Sequence, residues 1–119
     1  KPDGSILLDV SSLKAFDRTM EKAVFRVNLE NNFWSKEKNH EFLNTFKYDA
    51  EKVTLDKYTI IEKDRTRRIF NWLQHYDQES VAKEFSESGL KIVKYMANVA
   101  SDKFKADENE FAIIAQTGI

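Results

Sequence analysis

LKAFDRTMEKAVFRVNLENNF, residues 13–33, is the stretch on which the fold turns. Leu13, Phe16, Met20, Ala23, Val24 and Val27 recur at spacings of three and four, which places them on one side of a 3.6-residue helix. Ser11 and Ser12, just before it, offer a side-chain oxygen to the free amides of a first helical turn. Phe25, Leu29 and Phe33 fall four apart on the other side, so the second half of such a helix is apolar on two faces and needs a sandwich or a partner. The same residues admit an extended reading, because Phe25, Val27 and Leu29 alternate with Val24, Arg26 and Asn28 as in a half-buried strand. The stripe running in from the preceding turns favours the helix.

Working outward, Asn31-Asn32 interrupts the pattern, and Ser35 caps a second predicted helix that carries Phe42, Leu43 and Phe46 and ends near Tyr48. Residues 49–63 read as irregular: Val53 and Leu55 alternate like a strand, while Leu55, Tyr58 and Ile61 fit a helix. From Asp64 the helical period returns in Arg65, Ile69, Trp72, Leu73 and Tyr76, stopping near Asp77. Ser80 opens a further stripe, Val81, Phe85, Ile92, Met96, Val99 and Phe104. Gly89 within it either costs about 1 kcal/mol against Ala or ends one helix and starts the next. At the termini, Pro2-Asp3-Gly4-Ser5 has turn composition, and Ile6-Leu7-Leu8 and Phe111–Ala115 either close a helix bundle or pair as strands. The expected architecture is mainly α: a single helical domain over 1–119, four or five helices around an aromatic-rich core, with a minor terminal β element, and hence α+β, as the alternative.

The whole-chain quantities narrow the function classes. Nineteen Lys and Arg against 20 Asp and Glu give a net charge of -1, so there is no one-sign field to draw in nucleic acid or a membrane surface. Cysteine is absent, which removes disulfides, thiolate metal sites and cysteine nucleophiles. Charged residues interrupt every hydrophobic segment before it reaches the ~18 residues of a membrane helix, so the chain reads as soluble. Its start at Lys1-Pro2, without methionine, reads as a trimmed chain or a mature form after loss of a leader. A cytoplasmic location is slightly favoured over an exported one.

No motif of catalysis or metal binding is visible. His40 stands near Glu37 and Glu41 with no second His or Cys to complete a ligand set, and the carboxylates at Glu84-Glu87 and Asp107-Glu108-Glu110 lack the glycine and spacing of a calcium loop. Gly4, Gly89 and Gly118 are isolated, so there is no glycine-rich phosphate loop. His75 and Glu79, four apart, are the best acid-base pair available, without a nucleophile to serve. The basic run Lys63-Asp64-Arg65-Thr66-Arg67-Arg68 leads into Trp72, and helical geometry puts Arg65, Arg68, Trp72 and His75 on one side, away from Arg67. That side is the candidate site for a small anionic ligand, against a plain salt-bridged surface helix.

These observations favour a small non-catalytic binding or regulatory module acting through protein contacts. Phe25, Leu29 and Phe33 would form the surface for a partner or for a second copy. The alternative is a small-molecule-binding domain whose Trp34 and Trp72 line a pocket with Arg65 or Arg68 at its mouth, and an enzyme ranks third. No cofactor or metal is expected, and nucleic acid is disfavoured as a partner.

Overall fold

The chain folds as a mixed β-sheet protein, not as a helix bundle. The computed structural model describes residues 3–118; Lys1, Pro2 and Ile119, and with them the readings made at the Lys1-Pro2 start, lie outside the described residues. Within these there are seven strands and two helices: β1 Ser5–Ser12, α1 Leu13–Arg18, β2 Lys22–Asn28, β3 Asn39–Tyr48, β4 Val53–Ile61, β5 Thr66–Tyr76, α2 Gln78–Glu87, β6 Leu90–Met96 and β7 Glu110–Thr117. The hydrogen-bonded order is β2-β3-β4-β5-β1-β7-β6. Two compact units emerge: the residues up to Arg18 with those from Gln74 onward, and Thr19–Leu73. β5 starts in the second and ends in the first.

In the first unit β7 lies between β1 and β6 and is antiparallel to both, with Ser5 opposite Gln116 and Leu90 opposite Thr117. The end of β5 joins β1 in parallel, Ser11 against His75 and Ser12 against Tyr76. Phe111, Ala112, Ile113 and Ala115 are all buried, so β7 has no polar face, which is why its sequence shows an unbroken apolar run instead of alternation. Val81 of α2 packs with Phe111 and Ile113, and Leu8, Val10, Phe85 and Ile92 close around them. α2 begins at a capping box in which Asp77 Oδ1 accepts from the Ser80 amide at 2.8 Å and the Asp77 amide donates to Ser80 Oγ at 3.0 Å. It ends where Gly89 takes φ +77, a left-handed value that spares glycine the Cβ penalty.

The second unit is an antiparallel meander. Phe25 faces Phe42 across β2 and β3, and Phe42 faces Thr59 across β3 and β4. The loop of residues 29–38 is folded on Asn32, whose Oδ1 accepts from the amides of Trp34 (2.9 Å) and Ser35 (3.2 Å), with Asn31 left-handed at φ 59. Along β3 polar residues share the covered face with an apolar one: Asn39, Glu41 and Thr45 are buried beside Leu43, while Phe42 and Phe46 on the opposite face are exposed.

Several expectations are corrected here. The helix proposed for residues 13–33 survives only as α1, six residues capped by Ser12, whose Oγ accepts from the Ala15 amide at 3.1 Å. Beyond it the alternating reading of Phe25 and Val27 is the one the chain adopts, because Lys22–Asn28 gains a full ladder with β3, and tertiary pairing overrides local helical period. Residues 35–48 form loop and β3, the segment 64–77 is dominated by β5, and Gly89 is followed by a strand. The all-α assignment fails on all four, and Ile6-Leu7-Leu8 pairs with Ile113–Ala115 as strands.

Candidate functional site

A cavity of about 360 Å³ opens in the first unit, beyond the carboxyl ends of the parallel pair β1 and β5. Crevices at the carboxyl ends of parallel strands are the usual ligand sites of α/β sheets, and this volume falls within the ~300–1,000 Å³ of small-molecule pockets. Leu13, Tyr76, Phe104 and Phe111 form apolar walls, and Lys14, Asp17, Lys105 and Glu108 bring charge of both signs to its lining.

Backbone ties hold these walls in place. Ser12, the last residue of β1, donates its hydroxyl to the Glu108 carbonyl at 2.6 Å and its amide to the Asn109 carbonyl at 3.0 Å. Arg18 Nη1 donates to Asn109 Oδ1 at 2.7 Å. The Ser12 hydroxyl also caps α1, so it is committed to structure and is no nucleophile. Asp77, at the head of α2, also lines the cavity, and hydrogen bonds from the Ser80 backbone and side chain hold its carboxyl below the ordinary value. Tyr95, whose hydroxyl donates to the Gln78 carbonyl at 3.4 Å, is pushed up by burial. The arrangement can enclose a ligand with an apolar body and a polar end.

His75 lies behind this wall, buried against the edge of Phe16 with ring centroids 5.5 Å apart. Its Nδ1 is 3.0 Å from the Ser12 carbonyl and 3.0 Å from Ser11 Oγ. A carbonyl only accepts, so Nδ1 carries the hydrogen and fixes the ring as a structural tie between β5 and β1.

The remaining sequence-predicted residues fall in the second unit and do not form one face. Arg65 stands in the turn after β4 and donates to Glu62 Oε1 at 2.7 Å. Arg67 donates to the same oxygen at 2.8 Å and to the Trp34 carbonyl at 2.6 Å. Ser35 Oγ donates to Glu62 Oε2 at 2.7 Å, and these bonds, Ser35 first and Arg65 next, hold the Glu62 carboxyl at about 2 against burial pulling the other way. Arg68 and Trp72 do share a side, because four residues is an even step in a strand; Trp72 packs on Tyr48 at 5.7 Å. Phe25 lies in β2, whereas Leu29 and Phe33 are exposed in the loop after it, so the stripe read from a helix does not exist. Trp34 packs against Tyr58 at 4.6 Å and does not meet Trp72 in a common pocket. Sequence reading missed the cavity-lining Tyr76, Phe104 and Phe111 because their common feature is position at strand ends and in a loop, which no spacing reveals.

No protein-family model matches the chain, and no curated protein matches it. Solved structures do, among them two methyltransferases. The CcbJ methyltransferase from Streptomyces caelestis superposes on 100% of this chain with a TM-score of 0.64 and 14% identity. An S-adenosylmethionine-dependent methyltransferase from Clostridium acetobutylicum ATCC 824 superposes on 98% of it with a TM-score of 0.66 and 11% identity. In each case the chain spans 45% of the other protein's length. The idea of a non-catalytic protein-binding module, with a ligand pocket between helices lined by Trp34 and Trp72 as its alternative, loses its ground: both rested on helical faces that do not form, and these two solved structures are methyltransferases. At this identity the likeness is one of fold.

Proposed function

We propose that this chain forms the acceptor-binding part of an S-adenosylmethionine-dependent methyltransferase. The observation that carries the reading is the superposition of two methyltransferases along 98–100% of the chain, far more than a shared local motif. When bound, S-adenosylmethionine supplies an electrophilic methyl group on a sulfonium sulfur. The residues present do not fit that cofactor. No glycine lines the cavity to let backbone approach a nucleotide closely, since Gly89 and Gly118 lie at another pocket, and among the described residues no buried side-chain nitrogen or oxygen is left unpartnered. The reading therefore assigns the cofactor to residues outside this chain.

What this chain contributes is a place for the acceptor. Tyr76, Phe104 and Phe111 exclude water from its apolar body, and the charged lining orients its polar end. The pairing of β1 supports the same reading. Ser5–Ser11 is in register with β7 on one side, whereas the register with β5 on the other covers Ser11 and Ser12. Ile6-Leu7-Leu8 has the composition of an interior strand, so an open edge here suits a sheet completed by further strands.

The test is transfer of tritiated methyl from S-adenosylmethionine by the full natural polypeptide that carries this sequence, against a panel of small acceptors with apolar bodies. We expect transfer to at least one acceptor, lost in Phe104→Asp with cofactor retention unchanged. Failure to retain S-adenosylmethionine in equilibrium dialysis, together with no transfer, would overturn the reading.

A further inference from the structure

We propose that the aromatic face of the second unit's sheet is a dimer interface that joins two copies of this protein. The mixed polarity noted in β3 continues into its neighbours, where polar groups pair on the same side as the buried Leu43 and Ile60. Arg26 Nη1 donates to Glu41 Oε2 at 2.7 Å and Asn28 Nδ2 to Glu41 Oε1 at 2.9 Å on the covered side. On the other side stand Phe25, Phe42, Phe46, Tyr48, Phe70 and Trp72, placed together by the register of β2, β3 and β4, by alternation along β5 and by the Tyr48–Trp72 contact. A sheet normally turns its apolar residues inward; this one buries Leu43 and Ile60 on the covered side and still leaves these six rings partly exposed on the other.

The extent of the face fits one occupant. These six rings, with Val27 and Ile61 beside them, are each 37% to 58% exposed. At ~200 Å² for each aromatic side chain, that leaves roughly 700 Å² of apolar surface, close to the ~800 Å² that each partner gives to a stable interface. Monomeric proteins seldom leave so large a contiguous apolar patch in water. The face also has the composition of an interface core, rich in Phe, Tyr, Trp and Arg. Among its described residues there is no carboxylate, and its charges are Lys57, opposite Asn44, and Arg68, two residues before Phe70. A two-fold axis lets a cation of one copy lie over a ring of the other, so the same patch serves both sides. The second copy is the partner whose surface is already known to match in size and character.

Sedimentation equilibrium of the full natural polypeptide, from low micromolar to near-millimolar concentration, tests this directly. We expect a monomer–dimer equilibrium, weakened at least about tenfold by Phe70→Lys or Trp72→Lys with the circular dichroism unchanged. Oxidative footprinting of the unaltered protein gives an independent readout, with Phe70 and Trp72 reactive when dilute and shielded when concentrated. A monomer at every concentration overturns the proposal, including one in which the rest of its own polypeptide already shields these rings. So does a dimer that survives both substitutions and dissociates on Leu7→Lys in β1. Neither outcome touches the methyltransferase reading, which is judged by cofactor retention and transfer.

Discussion

Glu62 shows how one residue can organise a loop. Its carboxylate gathers Ser35 from the loop of residues 29–38 and Arg65 and Arg67 from the far side of the β4–β5 turn. A helical reading separates Arg67 from Arg65, but with Arg65 in the turn after β4 and Arg67 at the start of β5 both reach one oxygen. The ordinary carboxyl value of 4.5 is lowered to about 2, so the stabilisation is fully present above about 4.5 and is lost as pH falls toward 2. We expect the urea midpoint of the wild type to drop across that window, and Glu62→Gln to lower the midpoint at neutral pH and flatten the acid slope. An unchanged slope in the variant would show that the acid loss comes from other carboxylates. His75 is the corresponding tie in the first unit. Removing a buried ring that bonds Ser12 and packs on Phe16 leaves both a void and an unmet acceptor, so His75→Ala should cost about 2–4 kcal/mol in equilibrium unfolding. A cost under about 0.5 kcal/mol, as for a surface substitution, would contradict the structural role.

At the scale of elements, α2 is where sequence and structure agree best, because its boundaries are set by local chemistry. Asp77→Ala removes the acceptor for the Ser80 amide and should cost about 1 kcal/mol, as should Gly89→Ala. The latter cost is purely conformational, since a Cβ at Gly89 meets nothing within 4 Å, and Gly89→Asn should therefore recover part of it in thermal unfolding. The strands were illegible for a physical reason. Phe42 and Phe46, Arg68 and Trp72, and Phe25 and Leu29 are each spaced by four, and four is a same-face step in a strand and nearly so in a helix. The usual arbiter is which residues are polar, and here it misleads: in β3 Asn39, Glu41 and Thr45 are buried beside Leu43, while Phe42 and Phe46 are exposed. The β-branched and aromatic run Thr66-Arg67-Arg68-Ile69-Phe70-Asn71-Trp72 was the better signal. Of the candidate cavity, only the Ser12 cap could be read in advance; its walls meet through pairings between residues about 100 positions apart.

On the scale of the whole molecule, the longest-range pairing decides what depends on what. β1 and β7 are joined along seven residue pairs from Ser5↔Gln116 to Ser11↔Glu110, and β7 is the only described strand in register with β6. β7 also supplies Phe111, Ala112, Ile113 and Ala115 to the buried core, so removing it strips β1 and β6 of a partner and of most of their apolar cover together. In the second unit, β2, β3 and β4 satisfy their ladders within Thr19–Leu73 and use no residue beyond it. Truncation after Asn109 should therefore act on one set of strands. Hydrogen exchange followed by mass spectrometry should show residues 5–12 and 90–96 exchanging at unprotected rates, while 39–48 and 53–61 keep their protection. If 5–12 stays protected without β7, the terminal strand pairing is not what holds β1. If 39–61 loses protection in step, the meander depends on the first unit for its stability, and the two sets of strands unfold as one cooperative body.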